Sequence, residues 1–483
     1  MPDLPAPFVT PEWARHAVFY QIFPDRFANG DPANDPENTQ PWGTPPSTHN
    51  FMGGDLQGIV DRLDYLAELG IGALYLNPIF QATSNHKYNT FDYLRIDPHF
   101  GDLATFHRLI AAAHGRGIRV VLDGVFNHCG RGFYAFHDVM ENGGNSPYLR
   151  WFQIDRFPIN PYDGERPANY RTWWDFRSLP KFNTGHPPVR RYLLDVARYW
   201  IEQGADGWRL DVPNEIADHD FWREFRAVVK AANPEAYIVG EIWNDATPWL
   251  DGTQFDAVMN YLFRDLCRDF FARDTLRADA FGAGVDHLLG LYRREAAEVQ
   301  LNLLGSHDTV RVRTEAGGDL ARVRLATLFQ MTFPGAPCVY YGDEIGMAGG
   351  PDPLCRACFP WDRAAWDADL LEWTRRCIAL RREHPALRTG EYRSLLARST
   401  VNVYAYARWD AGEQLVLALN NRDMTRTLDL PLDGTPIPDG VELRDLLSGE
   451  IYRTRAGHVE RVRVPRRGGV VLHRRGAPPD HSR

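Results

Sequence analysis

Eight short apolar runs, each followed by a stretch with helical periodicity, limit the possible folds of this chain more than any other feature. The runs cover residues 17–23, 72–80, 118–126, 205–212, 236–243, 255–263, 299–307 and 336–345. They are continuous rather than alternating, which is typical of strands covered on both faces. Eightfold alternation of strand and helix predicts an α/β fold, the (β/α)8 TIM barrel. A doubly wound sheet is the alternative, but no glycine-rich nucleotide-binding motif is present.

Two segments depart from this alternation and indicate further domains. With 483 residues, the chain exceeds the usual size of a single hydrophobic core. A long segment rich in Pro, Gly, Asn and aromatic residues follows the third strand, and alternating strands separated by turn residues begin near residue 389. We therefore expect the barrel at 1–127 and 188–388, an inserted subdomain B at 128–187 and a C-terminal β-sandwich at 389–483.

Composition excludes several classes of function. The net charge of −9 argues against a nucleic-acid partner. No run of 18 apolar residues could span a membrane, and the N-terminus lacks the apolar core of a secretory signal. Six cysteines in a chain of this length do not form a disulfide scaffold, so reduced thiols and a cytoplasmic location are expected. For the lone CxxC of Cys355 and Cys358, loop packing is the preferred interpretation.

Polar residues follow the predicted barrel strands at the point where each strand ends. Any one of them alone would be interpreted as a capping or loop residue. Because groups at the carboxyl ends of barrel strands converge, four strands that end in acids, His or Arg predict an active site. The residues are Asp123, Asn127 and His128 after the third strand, Arg209 and Asp211 on the fourth, Glu241 on the fifth, and His307 and Asp308 on the seventh.

Carboxylates in this arrangement suit a retaining glycosidase, which needs a nucleophile and a second carboxyl group that donates and later accepts a proton. Asp211 would attack the anomeric carbon and Glu241 would protonate the departing oxygen. The acid of such a pair must keep its proton near neutral pH, which burial among carboxylates favours. Arg209 lies two residues before Asp211, so both face the same side of a strand. Asp308 would stabilise the oxocarbenium-like transition state.

Four segments at these positions resemble the signature regions of the α-amylase family, glycoside hydrolase family thirteen. They are DGVFNH (123–128), GWRLDVPNE (207–215), GEIW (240–243) and LLGSHD (303–308), and the resemblance extends from about residue 15 to residue 475. The family implies that Asp211 is the nucleophile, Glu241 the acid/base and Asp308 the stabiliser. From the residues themselves, His128 and His307 would bind sugar hydroxyls together with Asp308, and Arg209, counted among the substrate-binding residues, would hold the nucleophile ionised and oriented.

Other motifs resemble one subgroup, the neopullulanases, cyclomaltodextrinases and maltogenic amylases. LPKFN (179–183) is similar to a segment of that subgroup, and SNHKYNT (84–90) is similar to its substrate loop. Two departures from its pattern, Asn89 and Pro213, leave the fine specificity open. Most members also carry an N-terminal β-module that forms a dimer. This chain begins almost at the first barrel strand and is expected to lack that module, so either a homodimer uses another surface or the cleft is more open. The resemblance implies further sugar contacts at His86, Tyr88, Asp352 and Arg356, and Trp243 would either stack on the leaving-side sugar or pack under the rim of the barrel.

An early loop offers oxygen ligands for a cation. Clustered Asn and Asp side chains in a glycine-containing loop suit Ca²⁺, although the same residues favour solvated turns. Subgroup relatives place a structural calcium at matching positions, and no organic cofactor is expected. The candidate ligands are Asn29, Asp31, Asn34, Asp35, Gly53 and Asp55.

The sequence thus predicts a hydrolase of α-1,4-glucosidic bonds in cyclodextrins, malto-oligosaccharides or pullulan, with maltose as the main product and α-1,6 bonds as a second candidate target. Three alternatives remain open. The first is a transglycosylase of the 4-α-glucanotransferase type, in which a sugar replaces water as the acceptor, and the second is an α-glucosidase of the same family. The third is a sugar-binding relative with an inactive site, against which the presence of all three carboxylates argues.

Overall fold

The computed structural model describes residues 8–475, and the chain folds as two compact units. The first unit comprises Met1–Met259 and Arg356–Trp361. The second comprises Asn260–Cys355 and Asp362–Arg483. All eight apolar runs contain a parallel strand, so the predicted (β/α)8 barrel is confirmed.

Six barrel strands lie in the first unit and two in the second. The strands are β1 (Phe19–Ile22), β2 (Ala73–Leu76), β3 (Arg119–Gly124), β4 (Gly207–Leu210), β5 (Tyr237–Gly240), β6 (Ala257–Val258), β7 (Leu301–Leu303) and β8 (Ala336–Tyr340). From β1 to β6 each strand pairs in parallel with the next, and β7 pairs in parallel with β8. All residues of these strands are buried, except the first residue of β3. Burial on both faces explains the continuous apolar sequences of the strands.

Helices alternate with these strands, and several begin at an aspartate that caps the free backbone N–H groups. Asp102 accepts from Thr105 N, Asp218 from Phe221 N and Asp367 from Leu370 N. The α-helices of the first unit are Glu12–His16, Pro24–Phe27, Leu56–Asp61, Leu63–Leu69, Leu103–His114, Tyr134–Asn142, Pro187–Glu202 and His219–Ala232. Those of the second unit are Tyr261–Cys267, Ala278–Leu291, Arg294–Ala297, Val312–Glu315, Leu320–Thr332, Ala368–Glu383 and Ala386–Thr389.

The segment after β3 is an insertion with little regular structure, as predicted. It contains the helix Tyr134–Asn142, and isolated β-bridges join His128 to Lys181 and Phe152 to Phe182. A separate hairpin, Phe80–Ala82 paired with Thr90–Ile96, follows β2. The bridge to Lys181 fixes the start of the insertion against its end and holds His128 in place.

The C-terminal strands form the antiparallel β-sandwich-like domain that the alternating pattern predicted. They are β9 (Glu391–Arg398), β10 (Val403–Trp409), β11 (Glu413–Asn420), β12 (Arg426–Pro431), β13 (Glu442–Asp445), β14 (Ile451–Arg455), β15 (His458–Val464) and β16 (Gly468–Arg475). Their order is β9–β10–β11–β16–β13–β14–β15–β12. Buried aliphatic side chains, among them Val416, Leu443 and Val462, form its core.

Two findings concern membrane-spanning helices and disulfide bonds. No helix among residues 8–475 has the length and hydropathy needed to cross a membrane. The six cysteines all lie in this described part, and each is buried without a disulfide partner.

Candidate active site

The strand register places Asp211 and Glu241 side by side. In the parallel pair β4–β5, Leu210 lies opposite Gly240, so the next residue of each strand emerges at the same edge. The Glu241 amide donates to Leu210 O at 2.9 Å, and the Asp211 amide donates to Gly124 O of the preceding strand at 3.0 Å. Both side chains are almost fully buried. The two carboxylates are therefore fixed by backbone hydrogen bonds rather than by a flexible loop.

A single buried guanidinium contacts both carboxylates. Arg209 Nη1 lies 3.2 Å from Asp211 Oδ1, and Arg209 Nη2 lies 3.0 Å from Glu241 Oε2. The Arg209 side chain is fully buried. The neighbouring negative groups Asp123 and Glu241 raise the pKa of Arg209 well above its usual value despite burial, which alone would lower it. Arg209 thus lies against Asp211, on the same side of β4, and the same side chain also reaches Glu241.

Asp123 is a third partner of this arginine, and its importance was underestimated from the sequence. Arg209 Nη1 donates to Asp123 Oδ1 at 2.8 Å. The hydroxyls of Tyr75 and Tyr88 each donate to Asp123 Oδ2 at 2.8 Å. All these partners donate, so Asp123 acts as an acceptor in each of these hydrogen bonds. The site thus has three carboxylates for one guanidinium, so a proton on one of them relieves like-charge repulsion.

Glu241 receives one hydrogen bond on each carboxylate oxygen. The Val212 amide donates to Oε2 at 3.2 Å, and Trp243 Nε1 donates to Oε1 at 3.2 Å. Val212 has a φ of +36°, which is rare for a β-branched residue and marks strain at a functional position. Trp243 is 42 % exposed, so its ring is available to a ligand while its N–H orients the carboxylate.

His128 is enclosed and neutral. Its ring stacks on Trp173 with centroids 5.6 Å apart, and Asn127 Nδ2 lies 3.2 Å from His128 Nδ1. Burial lowers the pKa of His128 to about 3. His128 Nε2 is buried, and no side-chain or backbone group among residues 8–475 meets the geometric criteria for a hydrogen bond to it. An unsatisfied buried nitrogen of this kind is a candidate contact for a ligand hydroxyl.

The predicted substrate loop places His86 and Tyr88 beside the same cluster. The two rings stack with centroids 5.8 Å apart, and the Tyr88 amide donates to His86 Nδ1 at 3.1 Å. Tyr88 joins this loop to the carboxylates, because its hydroxyl bonds to Asp123 and lies 3.4 Å from Arg209 Nη1. Lys87, between them, forms a buried ion pair with Asp97 at 2.8 Å. Lys87 therefore anchors the loop.

The remaining predicted residues are divided between the two units. In the second unit, Asp308 follows β7 and its Oδ2 lies 3.0 Å from His307 Nε2. His307 is buried, whereas the Asp308 side chain is 33 % exposed. Asp352 is exposed. In the first unit, the Arg356 guanidinium lies 5.4 Å from the centre of the Phe23 ring. The roles of these four residues stay predictions.

The candidate calcium loop brings its six residues together. Asn29 Oδ1 and Asn34 Oδ1 are buried and have no hydrogen-bond partner in the described part of the chain. Asn29 Nδ2 donates a hydrogen bond to Asp35 Oδ1 at 2.9 Å, so the Asp35 carboxylate lies beside these oxygens. A Cβ on Gly53 would stand 2.3 Å from Asp35 Oδ1, so only glycine leaves this space open. These unsatisfied oxygens next to a carboxylate fit a Ca²⁺ ion.

Asp55 has a different environment from the other members of the loop. Its Oδ1 accepts from the amides of Gly30 and Gly58, and its Oδ2 accepts from the Asp31 amide at 2.8 Å. Burial is the main cause of a raised pKa for Asp55. It caps the helix Leu56–Asp61 and ties the loop to it, so a cation would compete with these N–H donors for its oxygens.

Comparison with known proteins identifies the family. Residues 21–370 match the model of the alpha amylase catalytic domain. The chain belongs to the α-amylase family. It is 51 % identical to a cyclomaltodextrinase of Geobacillus thermopakistaniensis, over 93 % of this chain and 75 % of the relative. It is 48 % identical to neopullulanase 2 of Thermoactinomyces vulgaris, over 97 % of this chain and 79 % of the relative.

A solved structure is similar over almost the same range. The cyclic alpha-maltosyl-(1→6)-maltose hydrolase of Arthrobacter globiformis, in complex with its cyclic sugar, superposes with a TM-score of 0.88 at 42 % identity. The match covers 96 % of this chain and 100 % of that one. The α-amylase family member described here is thus a glycoside hydrolase, as the signature segments predicted.

Two residues of the site, Tyr75 and Trp173, were not identified as functional from the sequence of this α-amylase family member, and Asp123 was placed at the site without a role. Tyr75 lies inside an apolar strand, where a tyrosine looks like a core residue. Trp173, which stacks on His128, belongs to the insertion, where no periodic sequence pattern indicates which side chains face the site. Asp123 was indicated by its position at the end of β3 and by the DGVFNH segment, but neither signal showed that it would share a guanidinium with Asp211 and Glu241.

Proposed function

We propose that this enzyme is a retaining glycosidase that hydrolyses α-1,4-glucosidic bonds in cyclodextrins and short malto-oligosaccharides. The observation that carries the proposal is the contact of one buried arginine, Arg209, with both Asp211 and Glu241. A shared guanidinium keeps the two carboxylates close to each other, which supports the small separation, roughly 5–5.5 Å, that is typical of retaining enzymes. An inverting enzyme would need a wider gap to admit a water molecule between them.

In the proposed mechanism, a carboxylate oxygen of Asp211 attacks the anomeric carbon while the glycosidic C–O bond breaks. Glu241 gives its proton to the departing oxygen, and a covalent glycosyl–enzyme forms. Water then enters, Glu241 removes its proton, and the resulting hydroxide displaces Asp211 from the sugar. Arg209 supports both steps because it keeps Asp211 ionised and oriented while Glu241 changes its charge.

The other residues are proposed to hold the glucose units. His128 Nε2, which lacks a partner, would donate to or accept from a sugar hydroxyl, and the stacked pair of His86 and Tyr88 would contact the ring at the cleavage point. Trp243 would stack on the sugar that leaves. From the second unit, Asp308 with His307 would stabilise the positive charge of the transition state. Asp352 and Arg356 are proposed to bind the next glucose on the non-reducing side.

The choice of substrate is supported by the relatives. Their names include cyclomaltodextrinase and neopullulanase, and the structural relative is a hydrolase of a cyclic maltosyl-maltose. We propose cyclodextrins as preferred substrates, with maltose as the main product. Pullulan and α-1,6 bonds are further substrates to be tested.

We also propose that the loop of Asn29, Asp31, Asn34 and Asp35, with Gly53 and Asp55, holds a structural Ca²⁺ ion. The buried, unsatisfied oxygens of Asn29 and Asn34 support this proposal. The ion would supply the positive charge that the loop lacks and would stabilise it. It would have no part in bond cleavage.

A cytoplasmic location is proposed on the basis of six buried cysteines without disulfides. The homodimer expected from the subgroup resemblance stays a prediction.

Product analysis tests the proposed activity. The purified protein is incubated with β-cyclodextrin, pullulan, panose and starch, and released sugars are measured over time. We expect maltose from β-cyclodextrin faster than from starch, with the α-anomer formed first in an NMR time course. Products longer than the substrate at high maltose concentration would instead identify a transglycosylase. No hydrolysis of any α-glucan, or initial release of the β-anomer, would refute the proposal.

Matched variants test the assigned roles. Asp211→Asn and Glu241→Gln should each lower kcat by roughly 10³-fold or more while the thermal unfolding profile stays close to that of the wild type. The control is Asp220→Asn, which changes a carboxylate that is 79 % exposed on the helix His219–Ala232. It should keep wild-type activity.

A further inference from the structure

A cluster of two histidines and one glutamate lies in the second unit, and the proposed glycosidase mechanism makes no use of it. His384 follows the helix Ala368–Glu383, Glu413 begins β11, and His473 lies in β16. In the antiparallel pair β11–β16, Leu415 lies opposite His473. Glu413, two residues before Leu415, is therefore a diagonal neighbour of His473 on the same face of the sheet.

The side chains of the cluster converge on one carboxylate oxygen. Glu413 Oε2 lies 2.6 Å from His384 Nδ1 and 3.1 Å from His473 Nε2. The two imidazole rings have centroids 4.7 Å apart. One ligand atom from each of the three residues lies within 4.8 Å of the others. Among the described residues, no other group of at least three His, Cys, Asp or Glu side chains meets this condition.

We propose that His384, Glu413 and His473 form a binding site for a zinc-like transition-metal ion. Two imidazole nitrogens and a carboxylate oxygen are the His₂Glu set found at open tetrahedral Zn²⁺ sites, with bonds of about 2.0–2.2 Å. Two ligands of one tetrahedral ion stand about 3.3 Å apart. The two distances from Glu413 Oε2 to the histidine nitrogens, 2.6 Å and 3.1 Å, are shorter than this value, so small side-chain rotations that move the imidazoles away from Oε2 would admit the ion.

The surroundings suit an ion that is held but still reaches water. The side chains of His384, Glu413 and His473 are 12 %, 10 % and 14 % exposed. The Ala386 amide donates to Glu413 Oε1 at 3.0 Å and fixes the carboxylate, as outer partners do at metal sites. Water would complete the coordination from the exposed side. Nitrogen-rich ligand sets favour Zn²⁺ over Ca²⁺ or Mg²⁺, so this site would not compete for the calcium proposed above.

A nearby arginine does not occupy the ligand positions. Burial lowers the pKa of Arg388, and the negative charge of the nearby Glu413 acts in the opposite direction. Its Nη1, however, donates to the carbonyl oxygens of Arg381 and Arg382. The Oε2 atom of Glu413 therefore faces the two imidazoles rather than the guanidinium. A bound ion would join the end of the helix Ala368–Glu383 to β11 and β16, all within the second unit.

The test is Zn²⁺ binding to the full-length protein after treatment with EDTA and dialysis. Binding is measured at pH 7.5 by calorimetry and by competition with a chromophoric chelator. We expect one Zn²⁺ at this site, with an affinity at least tenfold weaker in His473→Gln and in Glu413→Gln. The control His458→Gln changes an exposed histidine of β15 and should bind as the wild type does.

A second measurement does not depend on the folding of the variants. Co²⁺ added to the wild-type protein should give visible absorption bands of tetrahedral coordination, and Zn²⁺ but not Ca²⁺ should abolish them. If Co²⁺ gives only the weak spectrum of an octahedral aqueous ion, the site is refuted. Equal Zn²⁺ affinity in wild type, His473→Gln and His458→Gln would also refute it. In either case the three residues would form only a hydrogen-bonded bridge.

Discussion

Replacement of Arg209 by lysine tests whether a single guanidinium organises the carboxylates. In the wild type, Nη1 contacts Asp123 at 2.8 Å and Asp211 at 3.2 Å, and Nη2 contacts Glu241 at 3.0 Å. A lysine keeps the positive charge but presents it at one point, without the planar fork that reaches two directions. At least one carboxylate therefore loses its partner in a site where Arg209 and Asp123 are fully buried.

The size of the effect follows from this loss. A hydrogen bond to a charged group contributes about 1.5–3 kcal/mol, and removal of a whole buried partner costs about 3–5 kcal/mol. Because lysine retains the charge, we expect the free energy of unfolding to fall by about 2–3 kcal/mol. A displacement of about 1 Å in a reacting group can lower the rate roughly 100-fold. We expect a fall in kcat of that order, with KM little changed, since Arg209 contacts the carboxylates.

Urea unfolding and β-cyclodextrin kinetics measure the two effects in one preparation. The matched control is Arg223→Lys, since Arg223 is 47 % exposed and pairs with Asp220 at 2.6 Å on the protein surface. An exposed pair contributes about 0–1 kcal/mol, so this variant should keep wild-type kcat. If Arg209→Lys had the kcat of the wild type, the inference that the guanidinium positions Asp211 and Glu241 would be wrong. A large change in KM alone would mean that Arg209 binds substrate directly.

Two further predictions concern stability. Burial lowers the pKa of His128 to about 3, so its contribution to stability is fully present above the unfolded pKa of about 6.5 and is lost as the pH falls towards 3. Between pH 7 and pH 5 the wild type should lose about 2 kcal/mol more than His128→Gln in urea unfolding, and parallel losses would contradict the assignment. If the loop binds Ca²⁺, the wild type should have a higher Tm in Ca²⁺ than in EDTA. Gly53→Ala should lower Tm and abolish this difference, because its Cβ would stand 2.3 Å from Asp35 Oδ1. Gly43→Ala, at a similar φ of +90° but with no atom within 4 Å, controls for backbone strain and should keep the response to Ca²⁺.

The local elements of this protein could be predicted because their signals are local. Each of the eight apolar runs contains a barrel strand, since burial on both faces requires a continuous apolar sequence. Boundaries were less predictable. The run 255–263 gives only the two-residue strand Ala257–Val258, and the helix Tyr261–Cys267 begins inside it. A short apolar run does not distinguish a strand from a buried helix, because both exclude polar residues.

The sequence by itself determined which residues stand at the ends of the strands, and so placed Asp211 and Glu241 after β4 and β5. Only the tertiary structure decided which groups share a partner. Arg209 contacts Asp123, which lies on a strand 86 positions earlier. Glu413 contacts His384, 29 positions before it, and His473, 60 positions after it. Such contacts depend on strand register and side-chain rotamer, which the packing of distant segments sets and no local pattern encodes.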